Sequence, residues 1–332
     1  MRDSKPTASQ TDDPADSQTG GTSIRMTTEE TDRIAAARTA GSVARGLVRA
    51  MRPKQWPKNF LVFFGLVFAL KLFDLALLAH AIAAFVVFCA VSSAVYLVND
   101  LADIEKDRQH PVKRFRPLAA GVIRPAEAMG LAAALLALAL PAAFALLPDF
   151  GLLAVVYFGL MLAYSFSLKN IVLIDVLALA GGFVLRAVAG AVVVAVPISP
   201  WLYVCTVLAA LFVGLAKRRN EMTLLEGDAA SHRRILQEYT PQLLDQLIMI
   251  VVAATVMAYS LYTFSADNLP KNHAMMLTIP FVLYGLFRYL YLVYVKNVGG
   301  SPEEVLLRDV PFLANAVLWM GAAVAVLYFF RS

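Results

Sequence analysis

Asn99-Asp100-Leu101-Ala102-Asp103-Ile104-Glu105-Lys106-Asp107-Arg108 gathers the residues best suited to chemistry in this sequence. Asp100, Asp103 and Asp107 are spaced i, i+3, i+7, which on a helix puts all three on one face. Carboxylates so placed repel one another, and more strongly near a membrane than in open water. A divalent cation carrying a phosphate group would relieve that repulsion. Mg2+ takes carboxylate oxygens and keeps water and phosphate as its other ligands. The alternative is a solvated loop between two membrane helices. The basic segment that follows, Lys113-Arg114-Phe115-Arg116-Pro117, favours metal and phosphate. Pro111, Pro117 and Gly121 give it the composition of a fixed loop, and Arg suits forked contact with phosphate.

Further polar clusters interrupt the apolar sequence, and each has two readings. Arg52-Pro53-Lys54-Gln55-Trp56-Pro57-Lys58-Asn59 is either an interfacial anchor or a phosphate contact through Lys54 or Lys58. Tyr164-Ser165-Phe166-Ser167-Leu168-Lys169-Asn170 is followed by Asp175, just inside an apolar stretch. A lone carboxylate there is costly, so Asp175 needs a partner, and Lys169 is the candidate. Arg186 shares a helix face with Gly182 and Gly190, which suits close helix packing around a structural ion pair or a functional contact. Lys217-Arg218-Arg219-Asn220-Glu221 holds either an ordinary Lys217–Glu221 salt bridge or a second phosphate- or metal-binding cluster. Ser301-Pro302-Glu303-Glu304 fits a local helix cap, with a lid over the site as the other reading.

The elements that must position these residues are membrane helices. The chain has 332 residues, 59% hydrophobic and 16% charged, with a mean hydropathy of +0.66. Its apolar residues come in runs long enough to cross a bilayer. The expected architecture is all-α, a polytopic bundle of about nine spans, near 58–77, 79–99, 124–147, 150–167, 171–196, 200–217, 241–265, 273–296 and 309–330. Lys71 and Asp74 interrupt the first of these. Residues 1–48 are polar and without hydrophobic periodicity, so a disordered tail is expected, with a short helix starting near Thr31 and a surface segment over Arg45–Arg52. Residues 49–332 are the expected catalytic domain. Lys and Arg concentrate in alternate loops, which places the N-terminus and every polar cluster on the cytoplasmic face of the plasma membrane and the C-terminus outside.

The net charge of +5 is spread over these short loops and does not point to nucleic acid. Cys89 and Cys205 sit in apolar runs and read as small buried hydrophobes. There is no Gly-rich P-loop, no HExxH and no Gly-x-Ser-x-Gly. A transporter could use intramembrane Asp175 and Arg186, but no internal repeat is visible and the charges gather on one face.

Asn99-Asp100-x-x-Asp103-x-x-x-Asp107 resembles the first acidic motif of the UbiA superfamily of intramembrane prenyltransferases. Where typical members carry a second aspartate-rich set, this sequence has Lys217-Arg218-Arg219-Asn220-Glu221. In that respect, and in the Arg52–Asn59, Lys113–Pro117 and Pro302–Asp309 segments, it is similar to the decaprenyl-phosphate phosphoribosyltransferase branch. The resemblance implies transfer of 5-phosphoribosyl from phosphoribosyl pyrophosphate to a polyprenyl phosphate, for cell-wall arabinan precursors. It implies Mg2+ held by the catalytic acids Asp100, Asp103 and Asp107. The donor and lipid phosphates are then expected among Lys54, Lys58, Asn99, Lys113, Arg114, Arg116, Tyr164, Lys169, Asp175, Arg186, Lys217, Arg218 and Glu221. Membrane lipids surround the site. The other reading within the superfamily is transfer of a polyprenyl group from its diphosphate to an aromatic acceptor. The sequence leaves the oligomeric state open.

Overall fold

The computed structural model describes residues 39–110, 112–197, 200–225, 234–266, 269–296, 305 and 308–329. Residues 1–38, with the helix expected near Thr31, lie outside them, as does the expected cap at 301–304. Every described regular element is helical, as expected. Helix α1 (Ala40–Ala50) occupies part of the stretch expected to be disordered. It is held because Val43, Leu47 and Ala50 pack with Leu97, Leu118 and Ile123 in one apolar cluster.

The expected first span takes an unexpected form. Pro53–Phe63 is a 3-10 helix with Pro57 inside it, followed by the short α2 (Phe64–Phe68). Pro57 has no N–H to donate back along an α-helix, so the tighter winding costs less here. A 3-10 helix rises about 2.0 Å per residue. Eleven such residues and five α-helical ones reach roughly 30 Å, close to a bilayer core.

Helix α3 (Leu75–Ala102) opens on Asp74, whose carboxylate accepts from the Ala76 and Leu77 N–H groups at 3.1 Å. Its 28 residues span roughly 42 Å, longer than the hydrocarbon thickness, and Asn99 and Asp100 lie in its last turn. The short α4 (Ile104–Gln109) follows. Then come α5 (Pro125–Leu146), α6 (Pro148–Phe166), α7 (Ile174–Val193), α8 (Pro200–Leu225), α9 (Pro241–Ser265), α10 (Ile279–Tyr294) and α11 (Val310–Phe329). Proline opens α5, α6, α8 and α9, where its missing N–H would be unsatisfied in any residue. Asp309 caps α11 by accepting from Phe312 N at 2.8 Å, and the Arg288 guanidinium beside it lowers its pKa.

Among the described residues, seven helices are long and apolar enough to cross a membrane. The count of about nine is therefore not reached by full-length apolar helices. The first expected span is the 3-10 and α2 pair. Helix α8 covers 200–217 and runs on into Lys217-Arg218-Arg219.

The core between these helices is interlocked and partly backbone-on-backbone. Phe88 meets Phe150 and Tyr157 edge-on, with ring centroids 5.8 and 5.3 Å apart. The 3-10 segment presses against α7 so closely that a Cβ at Gly190 would lie 2.1 Å from the Val62 carbonyl oxygen. In an ordinary helix interior Gly→Ala stabilises by about 0.5–1 kcal/mol. At Gly190 the sign reverses. Gly190→Ala is expected to destabilise by about 3 kcal/mol, read as a lower melting temperature in detergent. An unchanged or raised melting temperature would mean that the 3-10 segment does not dock on α7.

Candidate active site

The polar residues expected to do chemistry collect at one end of the bundle, around the junction of α3 and α4. The junction is a break: Asp103 leaves helical geometry, with φ −102° and ψ 10°. The three acids therefore do not share one continuous helix face as the spacing suggested. Asp100 and Asp107 turn towards Arg116, and Asp103 towards Lys169. Asp100 is buried and accepts from Arg52 Nη2 at 2.5 Å and Arg116 Nη1 at 3.1 Å. Asp107, also buried, accepts from the same Arg116 nitrogen at 2.5 Å. Lys169 Nζ lies 3.1 and 3.0 Å from the two oxygens of Asp103. Each acid thus has a cation, which is how three carboxylates are tolerated where solvent is scarce.

Arg52 is the member of this cluster that sequence reasoning passed over in favour of its neighbours. Its backbone is left-handed, with φ 55° and ψ 62°, directly before Pro53. A non-glycine residue pays about 1–2 kcal/mol for that conformation. The Asp100 ion pair and the Tyr96 ring, 4.8 Å from the guanidinium carbon, hold it. Of its expected neighbours, Lys54 is exposed and half-buried Lys58 donates to Gln55 Oε1 at 2.5 Å. Arg114 is exposed over the Phe115 ring, while Asn99 and Lys113 are half-buried.

The second cluster is built differently from expectation. Asp175 does not pair with Lys169. It is fully buried and accepts from Arg218 Nε at 2.5 Å and from the Tyr239 hydroxyl at 2.7 Å. Arg218, also fully buried, donates further to Glu221 Oε2 at 2.5 Å and to the Tyr164 hydroxyl at 3.0 Å. Its guanidinium is enclosed by protein acceptors from α6, α7 and α8. This geometry makes Arg218 a brace among those helices, whereas half-buried Lys217 lies beside it on α8. Tyr239 caps the arrangement by accepting from the Leu173 N–H at 2.8 Å. Burial and the carboxylate it donates to push its phenol up to about 12. The stretch from Tyr164 to Lys169 joins the clusters, since its first residue meets Arg218 and its last meets Asp103.

Arg186 lies apart, in the interior of α7. Its hydrogen bonds among the described residues go to neutral acceptors, not to the expected ionic partner: Asn59 Oδ1 at 2.7 Å, Gly182 O at 2.8 Å and the Tyr157 hydroxyl at 2.6 Å. Tyr157 also offers its ring face, 4.6 Å from the guanidinium carbon. Tyr157 and Tyr239 could be found only by their tertiary partners, because each sits alone in an apolar or turn-forming stretch, whereas Asn59 closes the polar segment Arg52–Asn59 and only its partner was hidden.

Among the described residues no three His, Cys, Asp or Glu side chains stand close enough together to hold a metal ion. The donor chemistry nevertheless suits one. Two carboxylate oxygens from Asp100 and Asp107 converge on a single positively charged nitrogen, with Asp103 on the next turn. Hard oxygen ligands of this kind are those Mg2+ prefers.

The described residues form a helical membrane bundle with paired acids and bases at one end, and residues 59–304 match the model of the UbiA prenyltransferase family. The chain belongs to that family. It is 38% identical over 296 residues to the decaprenyl-phosphate phosphoribosyltransferase of Corynebacterium glutamicum, covering 86% of this chain and 88% of that protein. It is 36% identical over 291 residues to the protein of the same name from Mycobacterium tuberculosis, covering 86% of this chain and 96% of the relative. A UbiA homolog from Archaeoglobus fulgidus bound to GPP and Mg2+ shares the fold, with a TM-score of 0.66 and 21% identity over 85% of this chain and 99% of that one. The chain is an integral membrane protein and an enzyme.

Proposed function

We propose that this protein transfers the 5-phosphoribosyl group of phosphoribosyl pyrophosphate to a polyprenyl phosphate of the decaprenyl class, releasing pyrophosphate. The observation that carries this reading is identity of 34–38% to relatives of that name, extending over most of both chains. The site supports it, since Arg52, Arg116 and Lys169 stand among the acids and suit substrates bearing several phosphates.

Asp100, Asp103 and Asp107 would hold Mg2+, with Asn99 beside them. When bound, Mg2+ neutralises charge on the donor diphosphate and stabilises pyrophosphate as a leaving group. Arg52, Arg116 and Lys169 would orient phosphate oxygens, with Lys54, Lys58, Lys113, Arg114 and Lys217 around them. The ribose C1–oxygen bond to pyrophosphate breaks, and its electron pair leaves with pyrophosphate. C1 acquires oxocarbenium character as in other glycosyl transfers. A phosphate oxygen of the lipid forms the new bond from the opposite face, inverting C1. That oxygen is already anionic at neutral pH, so no general base is required.

In this reading residues 49–332 form the catalytic domain. The site and the N-terminus face the cytoplasm, the C-terminus lies outside, and the product supplies cell-wall arabinan synthesis. The test is purified protein with Mg2+, phosphoribosyl pyrophosphate and a panel of polyprenyl phosphates, with products identified by mass. The expected product is a polyprenyl phosphate enlarged by one phosphoribosyl unit, together with pyrophosphate. Turnover only with a prenyl diphosphate and an aromatic acceptor would overturn the reading.

A further inference from the structure

Arg116 stands where a cation bridging Asp100 and Asp107 would stand. One of its nitrogens, Nη1, meets Asp100 Oδ1 at 3.1 Å and Asp107 Oδ2 at 2.5 Å. Arg52 adds a second positive charge on the same Asp100 oxygen. We propose that Arg116, seconded by Arg52, is a built-in counter-ion that closes the Asp100–Asp107 pair to free divalent metal and releases it only when metal arrives together with a diphosphate.

Three observations carry this. First, the acids are buried and the bases are partly exposed. The side chains of Asp100 and Asp107 are 3% and 4% exposed, whereas those of Arg52 and Arg116 are 24% and 26% exposed, on long stems. The arginines can leave the carboxylates without unpacking the helices. Second, a single nitrogen lies within hydrogen-bond distance of both carboxylates, at the position from which a cation would bridge them, and two buried anions so close need a positive charge between them. A cation that enters must therefore replace Arg116 and not simply join it. Third, Arg52 is held in a left-handed conformation before a proline, the kind of local strain that clusters at switching and ligand-clamping positions.

The exchange conserves charge. A divalent cation takes over the two carboxylates, and the two displaced guanidinium groups take oxygens of the diphosphate, for which their forked donors are suited. Free metal offers the arginines no new partner, so it binds poorly. Metal with diphosphate does offer one. Asp103 has its own counter-ion, Lys169, which a metal drawing on all three acids would displace in the same way.

The inference rests on the reading that this site binds a metal diphosphate, but it is tested without a phosphoribosyl donor or a lipid. The full-length protein in detergent is equilibrated with buffered radioactive manganese, and manganese retained on the protein is counted with and without inorganic pyrophosphate. The wild type is expected to hold manganese weakly alone and about tenfold more tightly with pyrophosphate. Arg116→Ala is expected to hold manganese alone about tenfold more tightly than wild type, because a competing positive charge has gone. In that variant the enhancement by pyrophosphate shrinks. Arg116→Lys, which keeps the charge, is expected to behave as wild type. Should Arg116→Ala not yield folded protein, Arg116→Gln is read in the same way. Manganese affinity equal to or below wild type in the folded neutral variant overturns the inference. So does wild-type binding indifferent to pyrophosphate. Failure of phosphoribosyl transfer with the manganese pattern intact would instead count against the substrate assignment alone.

Discussion

Asp103→Asn is expected to lower transfer by about 10²–10³-fold while leaving the protein folded. Asp103 is the acid at which the two effects separate most cleanly. Its side chain is 18% exposed, against 3% for Asp100, and its ionic partner is the single Lys169. Asparagine keeps an oxygen that can accept from Lys169 Nζ, so the link between the α3–α4 junction and the end of α6 survives. What disappears is the negative charge, which is what a metal needs. Asp100→Asn would be harder to interpret, because two arginines would lose part of their compensation at once. The measurement is turnover at saturating Mg2+ beside a thermal melt, with Asp103→Glu as the variant that restores a carboxylate. Full activity of Asp103→Asn in the presence of Mg2+ would remove Asp103 from metal binding.

The membrane helices were legible because bilayer thickness imposes a run length that composition alone reveals. Helices α5, α6, α9 and α11 fall close to their expected bounds, since proline or a cap marks their starts in the sequence. The first span was expected at 58–77, whereas the helical segment runs over 53–68 and begins as a 3-10 helix. Its apolar half, Phe60–Phe68, carried the expectation of a span, while Pro57 inside the polar half was the one local sign against a regular α-helix. The acidic and basic clusters were visible as clusters, yet their pairing was not. Helical spacing places Asp100, Asp103 and Asp107 together, but the break at Asp103 leaves Asp100 and Asp107 on one nitrogen and turns Asp103 to Lys169, and no local signal marks it. Asp175 shows the same limit. Lys169 is nearer in sequence, whereas Arg218, 43 residues away, is the residue that reaches it. A buried charge announces that it has a partner, but the fold decides which.

Arg218→Met carries the largest expected loss of stability and decides between the two readings of the Lys217–Glu221 cluster. The family resemblance put Arg218 among the expected phosphate ligands, while its geometry makes it a brace. Its side chain and that of Asp175 are both 0% exposed, and three acceptors on α6, α7 and α8 depend on it. Removing one partner of a buried ion pair costs about 3–5 kcal/mol, because the other is left charged without compensation. That corresponds to a fall in melting temperature of roughly 10 °C for a chain of this size. Adding Asp175→Asn to Arg218→Met is expected to recover part of the loss, since Tyr239 can still donate to the amide oxygen. Transfer by the protein that remains folded at low temperature is expected to fall less than in Asp103→Asn, and the donor KM to change little. A normal melting temperature with a sharply raised donor KM would reverse the assignment: Arg218 would then be touching phosphate, and Asp175 and Glu221 would be its positioning residues.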